Sequence, residues 1–408
     1  MAIDIRQVPE AELRGWVDII ETAFGEEMRE ERWLEYRRVL VAERTLGAYD
    51  GERIVGGAAD YLFRLTIPGG AQLAAAGVTS VGVLPTHRRR GILNQLMRRQ
   101  LAEIRGRGEP LAILTASEGS IYQRYGYGLA TLNASIDIER ERAVMRSPLP
   151  VRGNVRLVDA TEAARTFPPV YDVLRRATPG FFDRDATWWE VHPLSDSEHQ
   201  RRGRSRKFYA LYERDGAVRG YALYRIKQEW GDVGSRSALQ VQEVMALDPL
   251  AGEELWRYLF GVDLIERIQS SLGPPDHPLM LTLAEPRRLR LRLGDGLWLR
   301  LLDVPAALAA RGYGADGQLV LDVTDELLPD VGGRWRLAVE DGLVSVEASD
   351  QAPDLALDIT DLGAVYLGGF SFAQLALAGR TQELTPAAHS IADRLFGTYV
   401  RPWCPEIF

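Results

Sequence analysis

The stretch of this 408-residue chain that most constrains its fold is residues 78–93, where an apolar run meets three arginines and a glycine. The run VTSVGVL is rich in β-branched residues, and Pro85 cannot continue strand pairing, so a strand is predicted to end there. After Gly91 the apolar residues recur at helical spacing. A helix N-terminus presents backbone N–H groups without intrahelical partners and favours anions. With Arg88 and Arg89 beside it, and glycine allowing close backbone approach, this unit is predicted to cradle a pyrophosphate group.

The composition is that of a globular protein that dissolves in water, with 46% hydrophobic and 26% charged residues. The length predicts two or three domains. A net charge of −8 argues against general nucleic-acid binding. The single cysteine, Cys404, excludes an internal disulfide and a multi-cysteine metal site, and no metal is expected. No apolar run approaches about 18 residues and the N-terminus reads as a strand, so a cytoplasmic protein without a membrane span is expected.

Three segments are predicted, with an α/β (α+β) fold class. Residues 1–143 read as helix, strand meander, parallel strand pair and a last strand at 129–138, which together form one mixed sheet. Residues 150–290 repeat this order, including an Asp-Gly hairpin. In the repeat, the loop that should hold phosphate is acidic, with Glu253 and Glu254, so this copy is not expected to bind a pyrophosphate. Residues 295–408 read as a separate α+β domain.

The basic loop resembles a known family. Arg-Arg-Arg-Gly-Ile-Leu at 88–93, after a valine-rich strand and Leu-Pro, resembles the acetyl-coenzyme A loop of GCN5-related N-acetyltransferases, whose usual pattern is Gln/Arg-x-x-Gly-x-Gly/Ala. Leu93 stands where that pattern has its last small residue, and this larger side chain would leave less space beside the phosphates. The same change is found in the enhanced intracellular survival (Eis) branch, which this loop therefore resembles. TASEGSIYQRYGYG at 115–128 resembles the same branch.

This resemblance implies tandem acetyltransferase-like domains, the second degenerate, followed by a sterol-carrier-protein-like domain at 295–408 that supplies the C-terminal carboxylate. It also implies acetyl-coenzyme A as cosubstrate and a homo-oligomer, specifically a hexamer. The expected acceptor is a small amine, polyamine-like or aminoglycoside-like, or a lysine. The residues expected to contact acetyl-coenzyme A are Val81, Val83, Arg88, Arg89, Gly91, Ile92 and Ser117.

The resemblance further implies direct acetyl transfer with two catalytic groups. Tyr122 is the expected general acid, because a phenol with a pKa near 10 suits a departing thiolate; the alternative is a tyrosine that only packs its short helix. No aspartate or glutamate of the first domain stands out as a base. The resemblance assigns that role to the α-carboxylate of Phe408, which requires burial to raise its pKa. His87 is the alternative base.

The amine is expected to lie between aromatic and acidic side chains. Phe24 and Trp33 are the predicted walls, and Glu26 and Glu27 the predicted charge partners, because cation–π and carboxylate contacts both suit an ammonium group. Phe24 and Trp33 could equally be ordinary core residues.

Two other function classes stay open. A module that binds coenzyme A without turnover would show cofactor affinity but no thiol release. A lipid carrier governed by the last domain would hold lipid and be indifferent to coenzyme A.

Overall fold

The computed structural model describes residues 3–408, which divide into two compact units. Unit 1 consists of the described residues up to Thr131, Asp295–Pro402 and the last two residues, Ile407–Phe408. Unit 2 consists of Leu132–Gly294 and Trp403–Glu406. The C-terminal tail therefore contributes to both units in turn.

Strands and helices are distributed along residues 3–408. The strands are β1 (Ile3–Gln7), β2 (Thr45–Asp50), β3 (Arg53–Thr66), β4 (Gln72–Val83), β5 (Leu111–Thr115), β6 (Gly128–Leu129), β7 (Leu132–Glu139), β8 (Asn154–Val158), β9 (Phe208–Arg214), β10 (Ala217–Lys227), β11 (Trp230–Gly231), β12 (Gly234–Ser235), β13 (Ala238–Ala246), β14 (Arg267–Ser270), β15 (Arg292–Asp295), β16 (Leu297–Leu301), β17 (Gly317–Thr324), β18 (Gly333–Glu340), β19 (Leu343–Ala348), β20 (Leu355–Asp358) and β21 (Thr381–Glu383). The α-helices are α1 (Leu13–Phe24), α2 (Glu30–Tyr36), α3 (Ile92–Gly106), α4 (Gly119–Tyr122), α5 (Ala160–Ala177), α6 (Ala186–Val191), α7 (Glu198–Arg201), α8 (Pro249–Gly261), α9 (Leu279–Thr282), α10 (Val304–Ala310), α11 (Ile359–Tyr366), α12 (Phe372–Leu377) and α13 (Ala388–Phe396). Within residues 3–408, none of these helices is long and apolar enough to cross a membrane.

The two units contain sheets of matching topology, as the internal repeat predicts. The first sheet of unit 1 has the order β1-β2-β3-β4-β5-β16-β6, and its one parallel pair is β4 with β5. The large sheet of unit 2 has the order β15-β7-β14-β13-β10-β9-β8, and there β13 and β14 are parallel. In each sheet, the parallel pair is followed by an antiparallel strand that comes from elsewhere in the sequence, β16 or β7.

The prediction that one strand at 129–138 closes the first sheet is wrong. The chain turns after β6, where Thr131 Oγ1 accepts a hydrogen bond from the backbone N–H of Leu297 at 2.8 Å. It continues as β7, which pairs with β14 of unit 2. The vacant position beside β5 is filled by β16, which the sequence analysis assigned to the third segment. A strand with alternating apolar residues can pair in the sheet of either unit, so the local sequence pattern does not determine which sheet the strand joins.

The last domain packs its helices α10–α13 around the sheet β19-β18-β17-β20-β21. It is joined to the first sheet within unit 1 by Arg300 of β16, whose side chain is fully buried. This guanidinium donates to the carbonyl oxygen of Tyr125 and pairs with Asp325, which follows β17. A buried charge is tolerated only when it is paired and hydrogen-bonded, so the two parts are held in one arrangement.

The tail segment of unit 2 lies against the loop after α5. The backbone N–H of Trp403 donates to the carbonyl oxygen of Pro179 at 3.2 Å, and its ring packs edge-on against Phe181 with centroids 5.0 Å apart. Gly180 between them has a φ of +94°, and a Cβ there would lie 2.6 Å from the carbonyl oxygen of Trp403. Only glycine fits both the backbone angle and the close approach.

Gly180→Val is expected to loosen the tail, because backbone strain on the order of 1–3 kcal/mol adds to a direct clash. Carboxypeptidase should then release Phe408 at least about tenfold faster than from the wild-type chain. Gly203→Val is the matched control, since Gly203 also has a positive φ, +75°, but a Cβ there meets nothing within 4 Å. Equal release from both variants would contradict the role of Gly180.

Candidate active site

The site begins where two parallel strands separate. Strands β4 and β5 pair only from Ala75 to Gly77 on β4, opposite Leu111 to Ile113 on β5. Beyond Gly77, β4 continues to Val83 without further pairing to β5. Open α/β sheets bind ligands at the carboxyl ends of strands that diverge in this way. The two strands therefore separate as the sequence predicts, and the space between them is the candidate cleft of unit 1.

A β-bulge shapes the β4 side of the cleft. Two residues of β4, Ser80 and Val81, stand opposite one residue of β3, Ala58, and Ser80 has a φ of +52°. A bulge leaves one residue outside the hydrogen-bonded ladder and re-aims its backbone. Val81 and Val83, the predicted backbone contacts of the thioester arm, thus lie on the half of β4 that does not pair with β5, although Val83 still pairs with Gly56 of β3.

The basic loop leads into helix α3 as predicted, but its arginine side chains differ in their contacts and exposure. Arg88 donates from Nη2 to the carbonyl oxygen of Ala23 at 3.0 Å, so it fastens the loop to the end of α1. Arg89 is exposed, with a φ of +61°. Gly91 caps α3 with a φ of +76°, and a Cβ there would meet nothing within 4 Å. Ile92 begins the helix and is buried.

These features suit an anionic phosphate chain. The first turn of α3 contains no acidic residue, and no side chain caps its N-terminus. The backbone N–H groups of this turn therefore have no side-chain cap, and the helix dipole favours an anion beside them. Groups of at least three His, Cys, Asp or Glu side chains arranged to hold a metal ion are not found in residues 3–408.

Tyr122 ends the short helix α4 in the core beside the cleft. Its ring is buried and packs edge-on against Tyr127, with centroids 6.1 Å apart. Its hydroxyl forms a hydrogen bond with Ser117, the predicted cofactor contact. Burial raises the pKa of Tyr122, and the bond to Ser117 partly opposes that rise. The phenol is thus held protonated, which suits a proton donor.

Phe408 lies at the point where β4 and β5 separate. A carboxylate oxygen of Phe408 accepts a hydrogen bond from Oγ1 of Thr115, the last residue of β5, at 3.1 Å. The ring packs edge-on against Phe63 with centroids 5.2 Å apart, and a Cβ on Gly77 would lie 3.1 Å from it. The chain terminus, almost three hundred residues from Thr115 in sequence, is therefore part of this cleft.

The predicted amine-binding residues occupy α1, α2 and the turn between them. Phe24 is half exposed, and its ring would lie 3.6 Å from a Cβ on Gly82 of β4. Trp33 is partly buried and packs against the core of this region. Glu26 pairs with an arginine, Arg32, at 3.2 Å, and Glu27 is exposed.

The alternative base, His87, is engaged elsewhere. Its Nε2 lies 3.5 Å from the carboxylate of Asp50, at the end of β2, and its Nδ1 lies 2.8 Å from the Thr86 hydroxyl. Arg90 approaches the same carboxylate at 3.6 Å. These contacts draw the imidazole toward the β2–β3 hairpin.

A hydroxyl chain beside the bulge was missed by the sequence analysis. The hydroxyl of Tyr36 lies 2.7 Å from Oγ of Ser80 and also bonds to the hydroxyl of Tyr61. Nearby, Glu21 accepts from Arg32 at 2.6 Å, and burial raises the pKa of this carboxyl while Arg32 lowers it. The sequence pattern of β4 does not indicate a positive φ at Ser80, so the contact of its hydroxyl with Tyr36 could not be predicted from the sequence.

Three family models together match most of the chain. Acetyltransferase (GNAT) domain models match residues 4–130 and 180–301, and a sterol carrier protein domain model matches residues 304–405. The tandem and the third domain predicted from the sequence are confirmed.

Relatives match most or all of the chain. An uncharacterized N-acetyltransferase of Streptomyces avermitilis is 40% identical over 413 residues and covers 100% of both chains. The N-acetyltransferase Eis of Mycobacterium tuberculosis is 37% identical over 342 residues, covering 82% of this chain and 81% of its own. The crystal structure of Eis1 from Mycobacterium abscessus superposes with a TM-score of 0.85 at 34% identity and covers 100% of both chains. The chain therefore belongs to the Eis-like GCN5-related N-acetyltransferases.

Proposed function

We propose that this N-acetyltransferase moves the acetyl group of acetyl-coenzyme A directly to an amine of a polyamine-like, aminoglycoside-like or lysine-bearing acceptor, with the C-terminal carboxylate as base. The observation that carries the proposal is the position of Phe408. Its carboxylate bonds to Thr115, and its ring lies beside Gly77, at the fork of β4 and β5.

The proposed base removes a proton from the attacking amine. A carboxylate at a chain terminus has an ordinary pKa of about 3.5, so it gains basicity only where its surroundings disfavour the charged form. Phe408 is partly buried, and the aromatic ring of Phe63 and the edge of β4 exclude water from one side. The Thr115 hydroxyl orients the carboxylate, which a base at a flexible terminus needs.

Tyr122 is the proposed acid, which returns a proton to the departing sulfur. The backbone N–H groups of Val81 and Val83 are the proposed donors to the thioester oxygen, where negative charge develops. The bulge supports this role for Val81, because it takes Ser80 and Val81 out of the ladder with β3, whereas Val83 stays opposite Gly56. Gly91 and the first turn of α3 would hold the phosphates, and Arg88 would act by fixing the loop.

The proposed acceptor class rests on the residues around α1 and α2. Phe24 offers an exposed aromatic face, and Glu26 and Glu27 are exposed carboxylates on the same turn. Aromatic faces and carboxylates both attract ammonium groups. The net charge of −8 adds long-range attraction for a polycation.

A panel of amines incubated with acetyl-coenzyme A and a thiol-detecting dye tests the proposal. Thiol release that depends on spermidine, kanamycin or a lysine peptide supports it, and the most active amine identifies the acceptor class. If the protein binds coenzyme A but releases no thiol with any amine of the panel, a binding module would be favoured. Lipid in native mass spectra, together with no coenzyme A affinity, would favour a carrier.

Tyr122→Phe is expected to lower kcat by about 10² to 10⁴, because it removes the acidic proton and keeps the ring. The melting temperature should change little, since the lost hydrogen bond is with an exposed serine, Ser117. Tyr125→Phe is the matched control, because Tyr125 is also buried in this cluster and has no proposed catalytic role. A large loss of stability with little loss of rate would assign Tyr122 to packing instead.

One glycine appended after Phe408 is expected to abolish most activity, because it moves the charge by about 3.5 Å and misplaces the base. Deletion of Phe408 should have the same effect on kcat/KM, whereas one residue added at the N-terminus should have none. Full kcat/KM with the added C-terminal glycine would show that the base lies elsewhere, with Glu26 and Glu27 the next residues to substitute.

The homo-hexamer and the cytoplasmic location stay predictions that rest on family resemblance and sequence. Sedimentation at micromolar concentration is expected to show an assembly heavier than the 45.5 kDa chain. A single species of chain mass would contradict it.

A further inference from the structure

Unit 2 contains a cavity at the place that corresponds to the cofactor cleft of unit 1. Strands β13 and β14 pair in parallel from Ala238 to Val241, opposite Arg267 to Ser270, and then separate. A cavity of about 640 Å³ lies at this fork and is lined by both strand ends, Val241 and Ser270. Its volume falls within the roughly 300–1,000 Å³ typical of small-molecule sites.

The cavity is not built for phosphate. Helix α8 begins with Pro249, and its N-terminus is capped by the carboxylate of Asp248, which accepts from Ala251 N–H at 3.0 Å. Glu253 lines the cavity one turn further on, and its lining contains no lysine or arginine. Carboxylates at a helix N-terminus repel an anion from the position where α3 would attract one.

The lining is mainly apolar, and its charges are compensated. Glu243 is paired with Arg184 at 2.6 Å, and Glu253 with Arg257 at 2.6 Å. The apolar lining includes Met145, Leu174, Val241, Met245, Trp256 and Leu279. An ion entering this space would lose its hydration without gaining a free partner, so a neutral molecule is favoured.

His277 is the polar group of the lining on which a ligand site can be argued. His277 is 4% exposed, and its Nδ1 accepts from the backbone N–H of Leu279 at 3.3 Å, which places the proton on Nε2. Burial lowers the pKa of His277 to about 4, so the ring is neutral at physiological pH. Its Nε2 has no hydrogen-bond partner among residues 3–408. A donor that lines a cavity and has no protein partner is available to an acceptor on a ligand.

We propose that this cavity is a second ligand site, which binds an uncharged, mainly apolar molecule whose carbonyl or ether oxygen accepts a hydrogen bond from His277. Trp403 and Pro405 of the tail form part of the wall. A bound molecule therefore packs against the segment that ends, three residues after Pro405, at Phe408. Occupancy of the site holds the tail in place, whether or not Phe408 is the base.

Nile red, a neutral apolar dye with a ring carbonyl, tests the site in the full-length protein. Its fluorescence is expected to rise with saturable binding of one dye per chain, and saturating dye should slow carboxypeptidase release of Phe408. Gly252→Phe should weaken binding at least tenfold, because Gly252 lines the cavity and a Cβ there meets only Ala246, at 3.6 Å. Gly261→Phe is the matched control at the other end of α8, where a Cβ meets nothing within 4 Å.

His277→Phe is the second variant, because it keeps a ring of similar size and removes the donor. It should weaken dye binding about tenfold, the loss expected for one hydrogen bond. No saturable binding by the wild-type protein, or equal binding by the wild type and either cavity variant, would overturn the site. Binding that leaves the release of Phe408 unchanged would overturn the contact with the tail.

Discussion

The position of the chain terminus depends on one buried arginine. Arg184 of unit 2 is almost fully buried and lies between two carboxylates, Glu243 of β13 and Glu406 of the tail. Its guanidinium also stacks over Tyr171 at 3.8 Å. Burial raises the pKa of Glu406, and Arg184 opposes that rise. Loss of one partner from a buried cluster of this kind typically costs about 3–5 kcal/mol, because the remaining charge has no partner. Glu406 is thereby fixed, and Phe408 follows only two residues later.

The parts of the site that are local in sequence were the parts that the sequence could predict. A valine-rich strand, a proline, a basic loop and a glycine before a helix all lie within residues 78–93, and each has a physical reason to be there. The structure has β4 ending at Val83 and α3 beginning at Ile92, with Gly91 in the left-handed region. The second copy could be recognised for the same reason, and the acidic residues that replace the basic ones in it lie within a single short loop.

The features that escaped prediction join distant segments. The strand exchange is one case, since β7 and β16 each complete a sheet to which their neighbours in sequence do not belong. Another is the bulge, where the φ of Ser80 follows from the register between β3 and β4 rather than from its own residue type. The arginine that fixes the tail is a third, because Arg184 and Glu406 are more than two hundred positions apart. Alternation and composition carry no information about such pairings.

The location of the proposed base at the last residue has a consequence for synthesis. During translation the carboxyl group of the newest residue is an ester with transfer RNA, so the catalytic carboxylate does not exist until the finished chain is released. Under the proposed mechanism, the first domain therefore has no catalytic base until termination, although most of it leaves the ribosome long before the tail. Prematurely stopped chains and read-through products alike would lack a base at the correct position. Accurate termination is then itself a condition for making an active enzyme.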